Sequence, residues 1–303
     1  MARTLDYSVL DVFAERPLAG NPLAVFHDAR LLSTDEMQAL ARETNLSETT
    51  FILPGDPALE QREGVRVRIF TAEEELPFAG HPTLGTATWL HLNHSTLRGA
   101  EVVTLRLDAG TIPVTFAPPQ PDRLGVFATM RQNDPVFGAT HDRAAVAAVL
   151  GLSADDLSPV HAPQTVSTGL PFCIVPLRSL EVTRRLRTVQ SEAQHWLSLS
   201  DAQFFYCIAP TGDVRQYAPR WHARMQFYGG EDPATGSAAG CCISWLVHAG
   251  LALPDQVVVI EQGVEIGRPS RIETSASIRE GVPCSVLVSG RTIPVARGSF
   301  FLP

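Results

Sequence analysis

A mixed α/β fold made of two similar halves is what this sequence predicts, and three observations predict it. The chain has 303 residues, a length that suggests two domains of about 100–200 residues each. Short β-branched runs alternate with segments that carry helical periodicity and capping signals, so neither kind of element dominates. The motif order of the first half also recurs in the second. Gly20-Asn21-Pro22-Leu23-Ala24-Val25 parallels Gly169-Leu170-Pro171-Phe172-Cys173-Ile174 at an offset of 149, and Pro77 parallels Pro233 at an offset of 156. Each proline lies 12 positions before a tryptophan (Trp89 and Trp245), Gly80 falls opposite Gly236, and Glu75 and Glu231 each stand two before the proline. Matches in the same order at similar offsets indicate an internal duplication.

The elements follow in order. Tyr7–Phe13 and Leu23–Phe26 read as paired strands around the turn ERPLAGNP. Ser33 caps a helix running through Arg42, with Glu36 at the capping-box position and Leu32, Met37, Leu40 and Ala41 as its apolar face. Phe51–Leu53 and Val65–Phe70 are strands, the second alternating apolar and basic residues with period two. After Pro77, GHPTLGTATWLHL reads as a loop entering a helix of small residues. Val102–Leu107 and Thr111–Phe116 form a hairpin about Asp108-Ala109-Gly110. The proline-rich APPQPDRLG is the candidate linker, which divides the chain into 1–118 and 119–289, with a C-terminal strand at 290–303 completing the first half. In the second half GLPFCIVPL is a strand entry, Arg184–Leu197 a helix and Phe204–Ala209 a strand. EDPATGSAAGCCISWLVHAG is again a loop running into a small-residue helix, and Val257–Ile260, Ser270–Thr274 and Ser285–Val288 are strands.

Composition narrows the function classes. The net charge of −8 argues against binding to a nucleic-acid backbone, which calls for a basic patch or stripe. A small-molecule partner is expected instead. Five cysteines, without CxxC or Cys/His ligand spacing, suggest neither a disulfide framework nor a metal site. No run approaches the roughly 20 apolar residues of a membrane span, and the N-terminus does not read as a signal peptide. A cytoplasmic setting is expected. No nicotinamide, flavin or pyridoxal signature is present, and the absence of any lysine excludes Schiff-base chemistry.

The two loop-to-helix corners are where chemistry is expected. A helix N-terminus presents unpaired N–H groups and a positive dipole end suited to a carboxylate or an oxyanion. Gly80 and Gly236 allow close backbone approach, while Thr83, Thr235 and Ser237 either cap their helices or bind a ligand. Neither corner has a phosphate-loop pattern. Glu48 precedes an apolar strand, His81 lies in the first corner and Asp232 just before the second. One carboxylate at a cleft can take a proton from one substrate atom and return it to another, if desolvation brings its pKa toward neutrality. A solvated loop glutamate, a loop histidine bonded to backbone and a capping aspartate account for the same residues. Local sequence does not separate these readings.

The blocks DVFAERPLAGNPLAVF, NLSETTFILP, RIFTAEEELPFAGHPTLGTA, EDPATGSAAG and QGVEIGRPSRI resemble, in this order, the phenazine-biosynthesis PhzF-like family, over about Asp11 to Arg271. The resemblance implies a diaminopimelate epimerase-like fold of two pseudosymmetric α/β halves. Each is a curved, mostly antiparallel sheet or barrel around a central helix, and the site lies in the cleft between them. It implies a cofactor-independent isomerase acting on a small carboxylate-bearing substrate, with Glu48 as general acid/base, His81, Asp232 and Ser237 assisting, and backbone at Gly80 and Gly236 holding the carboxylate. It further implies a homodimer. Racemase relatives use two opposed thiols, near Ala79 and Pro233 here, and neither position is cysteine. A ligand-binding protein without turnover, or an amino-acid epimerase or dehydratase, are the alternatives. The approach RQYAPRWHARMQFYGGEDP departs from the family pattern. Arg220, Trp221 or Arg224 is a candidate substrate contact there, set against the plainer reading of an exposed loop.

Overall fold

The computed structural model describes residues 3–212, 220–227 and 230–302. Residues 215–219, Tyr228 and Gly229 of the approach to the second corner lie outside the described residues. The chain divides into two units, Met1–Arg131 with Ser289–Pro303, and Gln132–Val288.

Unit 1 holds β1 (Arg3–Val12), β2 (Asn21–Phe26), α1 (Thr34–Thr44), β3 (Glu48–Leu53), α2 (Pro57–Glu63), β4 (Val65–Phe70), β5 (Glu75–Leu76), α3 (Gly80–Asn93), β6 (Val102–Leu107), β7 (Gly110–Phe116) and β8 (Val126–Arg131). In chain order unit 2 adds β9 (Val136–Thr140), α4 (Arg143–Val149), β10 (Gln164–Ser167), β11 (Pro171–Pro176), α5 (Leu180–Arg185), α6 (Gln190–Ser198), β12 (Phe204–Pro210), β13 (Arg220–Arg224), β14 (Gln226–Phe227), β15 (Gly230–Glu231), α7 (Gly236–His248), β16 (Val258–Gln262) and β17 (Ser270–Arg279). The last strand, β18 (Val282–Leu302), begins in unit 2 and ends in unit 1.

Strands β1-β2-β3-β4-β6-β7-β8-β18 follow one another in unit 1, and β18 pairs back to β1, closing an eight-stranded barrel. Closure removes the open edges that invite edge-to-edge association. The β1–β2 turn requires glycine at position 20: its φ is +65°, and a Cβ there would lie 2.3 Å from the Val12 carbonyl oxygen. Outside the barrel α1 carries the expected capping box between Ser33 and Glu36. Its Met37, Leu40 and Ala41 pack with Phe26, Phe51 and Phe70. Phe26 stacks on Phe51 at 4.9 Å.

Inside, α3 packs against β1, β2, β3, β6, β7 and β8. An eight-stranded barrel has an interior just wide enough for side chains, whereas an ordinary helix is about 10–12 Å across. The small residues of GHPTLGTAT make this helix thin. At Gly85 a Cβ would come within 2.6 Å of Leu23 Cδ2 and 2.8 Å of Val12 Cγ2. Full burial of Leu84 and Leu90 contributes about 1.5–3 kcal/mol each, which offsets the poor helix propensity of two glycines and a proline.

In unit 2 the strand order is β18-β17-β16-β13-β12-β11-β10-β9, and α7, buried from Gly236 to Val247, packs on β10, β11 and β17. The duplication is explicit in the pairing senses. From β1 to β7, neighbours along the unit 1 sheet run antiparallel, parallel, antiparallel, parallel, antiparallel. From β10 to β17, neighbours along the unit 2 sheet run in the same sequence. Such a match of topology to sequence offset leaves two copies of one plan.

Several expectations are corrected. APPQPDRLG joins β7 to β8 within unit 1, and the units divide after Arg131, because β8 pairs with β7. The helix expected over Arg184–Leu197 is two helices, interrupted where Thr188 N–H donates to Gln226 Oε1 at 2.9 Å. At the corners the helices start at Gly80 and Gly236 themselves, with no loop beyond the glycine. Residues 220–224 are no exposed loop. They form β13, between β12 and β16, with all but Arg220 buried.

Candidate active site

The first corner gathers three residues from distant parts of unit 1. Glu48 is the first residue of β3, in register with Leu23 of the parallel β2, and is only 8% exposed. Its Oε2 lies 3.5 Å from Nδ1 of His81, the second residue of α3. Asn21, the first residue of β2, donates from its Nδ2 to the same Nδ1 at 3.1 Å. Burial pushes the His81 imidazole down to about 3, so the ring is neutral and its approach to Glu48 is not an ion pair. With Nδ1 accepting from Asn21, the ring hydrogen sits on Nε2, which is buried and has no hydrogen-bond partner among the described residues. An unsatisfied buried donor costs about 1–3 kcal/mol, and a substrate oxygen would satisfy it.

The sign of the pH effect follows. The unfolded imidazole takes up a proton below about 6.5, the native one not until about 3. Between those values the unfolded chain binds more protons, so His81 lowers stability as pH falls, by up to about 1.4 kcal/mol per unit. Urea unfolding of wild type and His81→Phe between about pH 7 and pH 4 reads this. The variant is expected to show the shallower dependence, and equal slopes would contradict a buried neutral ring.

The N-cap of α3, Ala79, provides no side-chain cap, leaving first-turn N–H groups around Gly80 available to an anion. Thr83 does not act as a cap: its hydroxyl donates to the Ala79 carbonyl at 2.7 Å, one turn back, which leaves only its lone pairs for a ligand.

The second corner is tied by a network within unit 2. Thr235 donates through Oγ1 to Asp232 Oδ2 at 2.5 Å, and the Thr235 N–H donates to Gln262 Oε1 at 3.1 Å. Gln262 Nε2 donates to the Asp232 carbonyl at 2.8 Å and to Thr235 Oγ1 at 2.9 Å, while Tyr206 donates to Gln262 Oε1 at 3.0 Å. Thr235 is the N-cap residue of α7, yet its hydroxyl is spent on Asp232 and not on the helix. The N–H groups at Gly236 and Ser237 thus resemble those of α3. Gln132 reaches the Gly236 carbonyl at 2.9 Å. Asp232 and Ser237 are both buried.

Asn21, Gln262 and Gln132 were not expected as site residues. Asn21 and Gln262 stand inside two of the motif blocks, GNP and QGV, where that signal lay. Arg224, a candidate substrate contact, is buried and committed to a partner within its own unit. It forms a buried bidentate pair with Glu231, Nε to Oε1 at 2.8 Å and Nη2 to Oε2 at 2.5 Å. Arg68 and Glu75 make the matching pair in unit 1, both distances 2.6 Å.

The repeat also exposes an asymmetry. Leu23 pairs with Glu48 in unit 1, whereas its counterpart Phe172 pairs with Phe204 in unit 2. Only one half carries a carboxylate at this strand mouth. The thiols offer no substitute: all five cysteines are buried, and burial pushes Cys207 and Cys241 up to about 12. Among the described residues no group of three or more His, Cys, Asp or Glu gathers to hold a metal. Nor is any helix long and apolar enough to cross a membrane.

Comparison with known proteins agrees with these motifs. The family described as phenazine biosynthesis-like protein matches residues 10–298. The trans-2,3-dihydro-3-hydroxyanthranilate isomerase of Pseudomonas chlororaphis is 38% identical, over 98% of this chain and 99% of its own. A solved structure from Pseudomonas aeruginosa, a predicted epimerase, is 39% identical with a TM-score of 0.81, covering 98% of this chain and 99% of its own. A hydroxyproline epimerase from Agrobacterium vitis, 10% identical with a TM-score of 0.66, covers 99% and 93% and shares the fold alone. With a family match across almost its whole length and full-length relatives that are isomerases, this chain belongs to the phenazine biosynthesis-like family and is one of its isomerases.

Proposed function

We propose that the enzyme shifts a proton, and with it a double bond, within a small cyclic carboxylate, using Glu48 as its single acid/base and no cofactor. The observation that carries this reading is Glu48, buried at the mouth of β3 beside a neutral His81. The carboxylate of Glu48 removes a proton from one substrate carbon, the electron pair moves through the adjoining double bond, and the same proton or its solvent replacement is delivered to another carbon. Bonds broken and formed are both C–H, so no co-reactant is needed. His81 Nε2–H donates to a substrate oxygen and holds the charge that develops there. First-turn N–H groups of a corner helix, at Gly80 or at Gly236, receive the substrate carboxylate. Asp232, fixed by Thr235 and Gln262, and Ser237 are the polar groups that the second corner offers to a substrate.

The asymmetry between Glu48 and Phe204 supports one base over two, and the raised thiols disfavour an epimerase working through cysteines. The test is turnover of unsaturated cyclic carboxylic acids, including trans-2,3-dihydro-3-hydroxyanthranilate, followed by NMR before and after treatment with N-ethylmaleimide. At least one acid is expected to isomerise at a rate the thiol reagent leaves unchanged. Loss of activity on alkylation would instead favour a thiol mechanism.

A further inference from the structure

A cavity of about 420 Å³ opens in unit 1 between the last turn of α3, the β7–β8 connection and β18. It lies at the opposite end of α3 from His81. The ten residues from His81 to His91, at about 1.5 Å each, put it roughly 15 Å away along the helix. Its walls include Phe116, Pro118, Pro119 and Phe127, with His91 and Arg291 as the polar groups and Glu101 exposed at the rim.

Arg291 is the unusual member. It is 5% exposed, and among the described residues no carboxylate lies within ion-pair distance of it. Its partners are neutral: Nη2 donates to Gln120 Oε1, Nη1 to the Leu124 carbonyl at 3.5 Å, and the guanidinium stands 5.6 Å over the Phe127 ring. Two of the five guanidinium donors are thus engaged, and the others have no acceptor among the described residues. A buried cation without a counter-ion is costly, and this one faces an open volume. His91 adds direction. Its Nδ1 meets the Ala100 carbonyl at 2.9 Å, and a carbonyl only accepts, so the hydrogen is on Nδ1, and the tautomer this sets leaves Nε2 as the acceptor. The ring itself stacks on Phe116 at 4.1 Å.

We propose that this cavity is a second ligand site, for a small planar aromatic monocarboxylate that also carries a hydrogen-bond donor. The carboxylate takes the fork of Arg291, for which a planar, two-pronged anion is the matching shape. The ring lies among Phe127, Phe116 and the two prolines. A hydroxyl or amine on the ring donates to His91 Nε2. Glu101 and the carbonyl end of α3 both carry negative potential, which selects against multiply charged anions and favours a monoanion with a donor. The volume suits a ligand of this size.

Calorimetric titration of the wild type with 3-hydroxybenzoate, benzoate, benzyl alcohol and sulfate tests the site. A carboxylate also has a place at Glu48 under the proposed function, so the comparison with Arg291→Met and Ala117→Trp isolates this cavity. The tryptophan fills the cavity while leaving Arg291 in place, and covers the case in which loss of Arg291 unfolds the barrel. The wild type is expected to bind 3-hydroxybenzoate at least about tenfold more tightly than either variant, and more tightly than it binds benzyl alcohol or sulfate, also by about tenfold. His91→Phe is expected to bring 3-hydroxybenzoate down to the affinity of benzoate. In a wild-type crystal soaked with 3-bromobenzoate, bromine is expected against Phe127. Wild-type affinity in both variants, equal binding of sulfate, or bromine found only elsewhere would each overturn the proposal, whatever the outcome at Glu48.

Discussion

Glu48→Gln is expected to lower kcat by about 10²- to 10⁴-fold, the range a positioned general acid/base contributes, with KM changed far less. Glutamine has almost the shape of glutamate and keeps an oxygen and a polar nitrogen at the strand mouth, so contacts to His81 survive. What is lost is the capacity to accept a proton from carbon. Because Glu48 is the first residue of β3 and its backbone pairs with Leu23, strand geometry does not depend on its charge. A melting temperature close to wild type with collapsed kcat is therefore the expected combination. Full activity in the variant would remove Glu48 from the mechanism. Loss of activity together with loss of fold would be answered by Glu48→Asp, which restores the carboxylate and should recover part of the rate.

The largest effect on stability is expected from Arg224→Met, at about 3–5 kcal/mol. Both side chains of the Arg224–Glu231 pair are nearly sealed from solvent, at 5% and 7% exposure, and Arg224 also donates to the Thr183 carbonyl at 2.6 Å. Removing the arginine leaves Glu231 as a buried charge without its partner. Glu231→Leu in the same background removes that charge and is expected to recover most of the loss, since an apolar pair of similar volume replaces a buried ion pair at little cost. Urea denaturation of the single and double variants measures both. The equivalent pair in unit 1, Arg68 with Glu75, is more exposed at 19% and 27%, so its rupture is expected to cost less. The exposed Arg30–Asp28 pair marks the low end, since solvent screens it. A double variant no more stable than Arg224→Met would contradict the account of the buried charge.

Much of this architecture was legible because the deciding signals are local or repeated. Ser33 and Glu36 form their box within one turn, and the period-two alternation of VRVRIF needs only its own six residues. The paired motif blocks announced two copies of one plan, and the pairing senses repeat accordingly. Legibility failed where a partner far along the chain decides. RWHAR has no clear pattern of its own and becomes a strand because β12 and β16 flank it. The interruption after Arg185 depends on Gln226, 38 residues on. At the candidate site, the types and order of Glu48, His81 and Asp232 were readable from the motifs. The residues that hold them were not: Asn21 acts on His81 across 60 residues, and Gln262 on Asp232 across 30. Helical propensity also misleads at the corners, where glycine and proline open helices that burial stabilises. The glycine that was read as part of each loop is instead the first residue of each helix.

The most direct test of the central claim is deuterium incorporation in deuterated water during turnover of whichever unsaturated cyclic carboxylic acid the wild type isomerises, read by mass spectrometry and NMR for wild type and Glu48→Gln. The account predicts isomerised product carrying deuterium at the newly protonated carbon with the wild type, and neither product nor exchange above background with the variant. Isomerisation and exchange at equal rates in both proteins would contradict it.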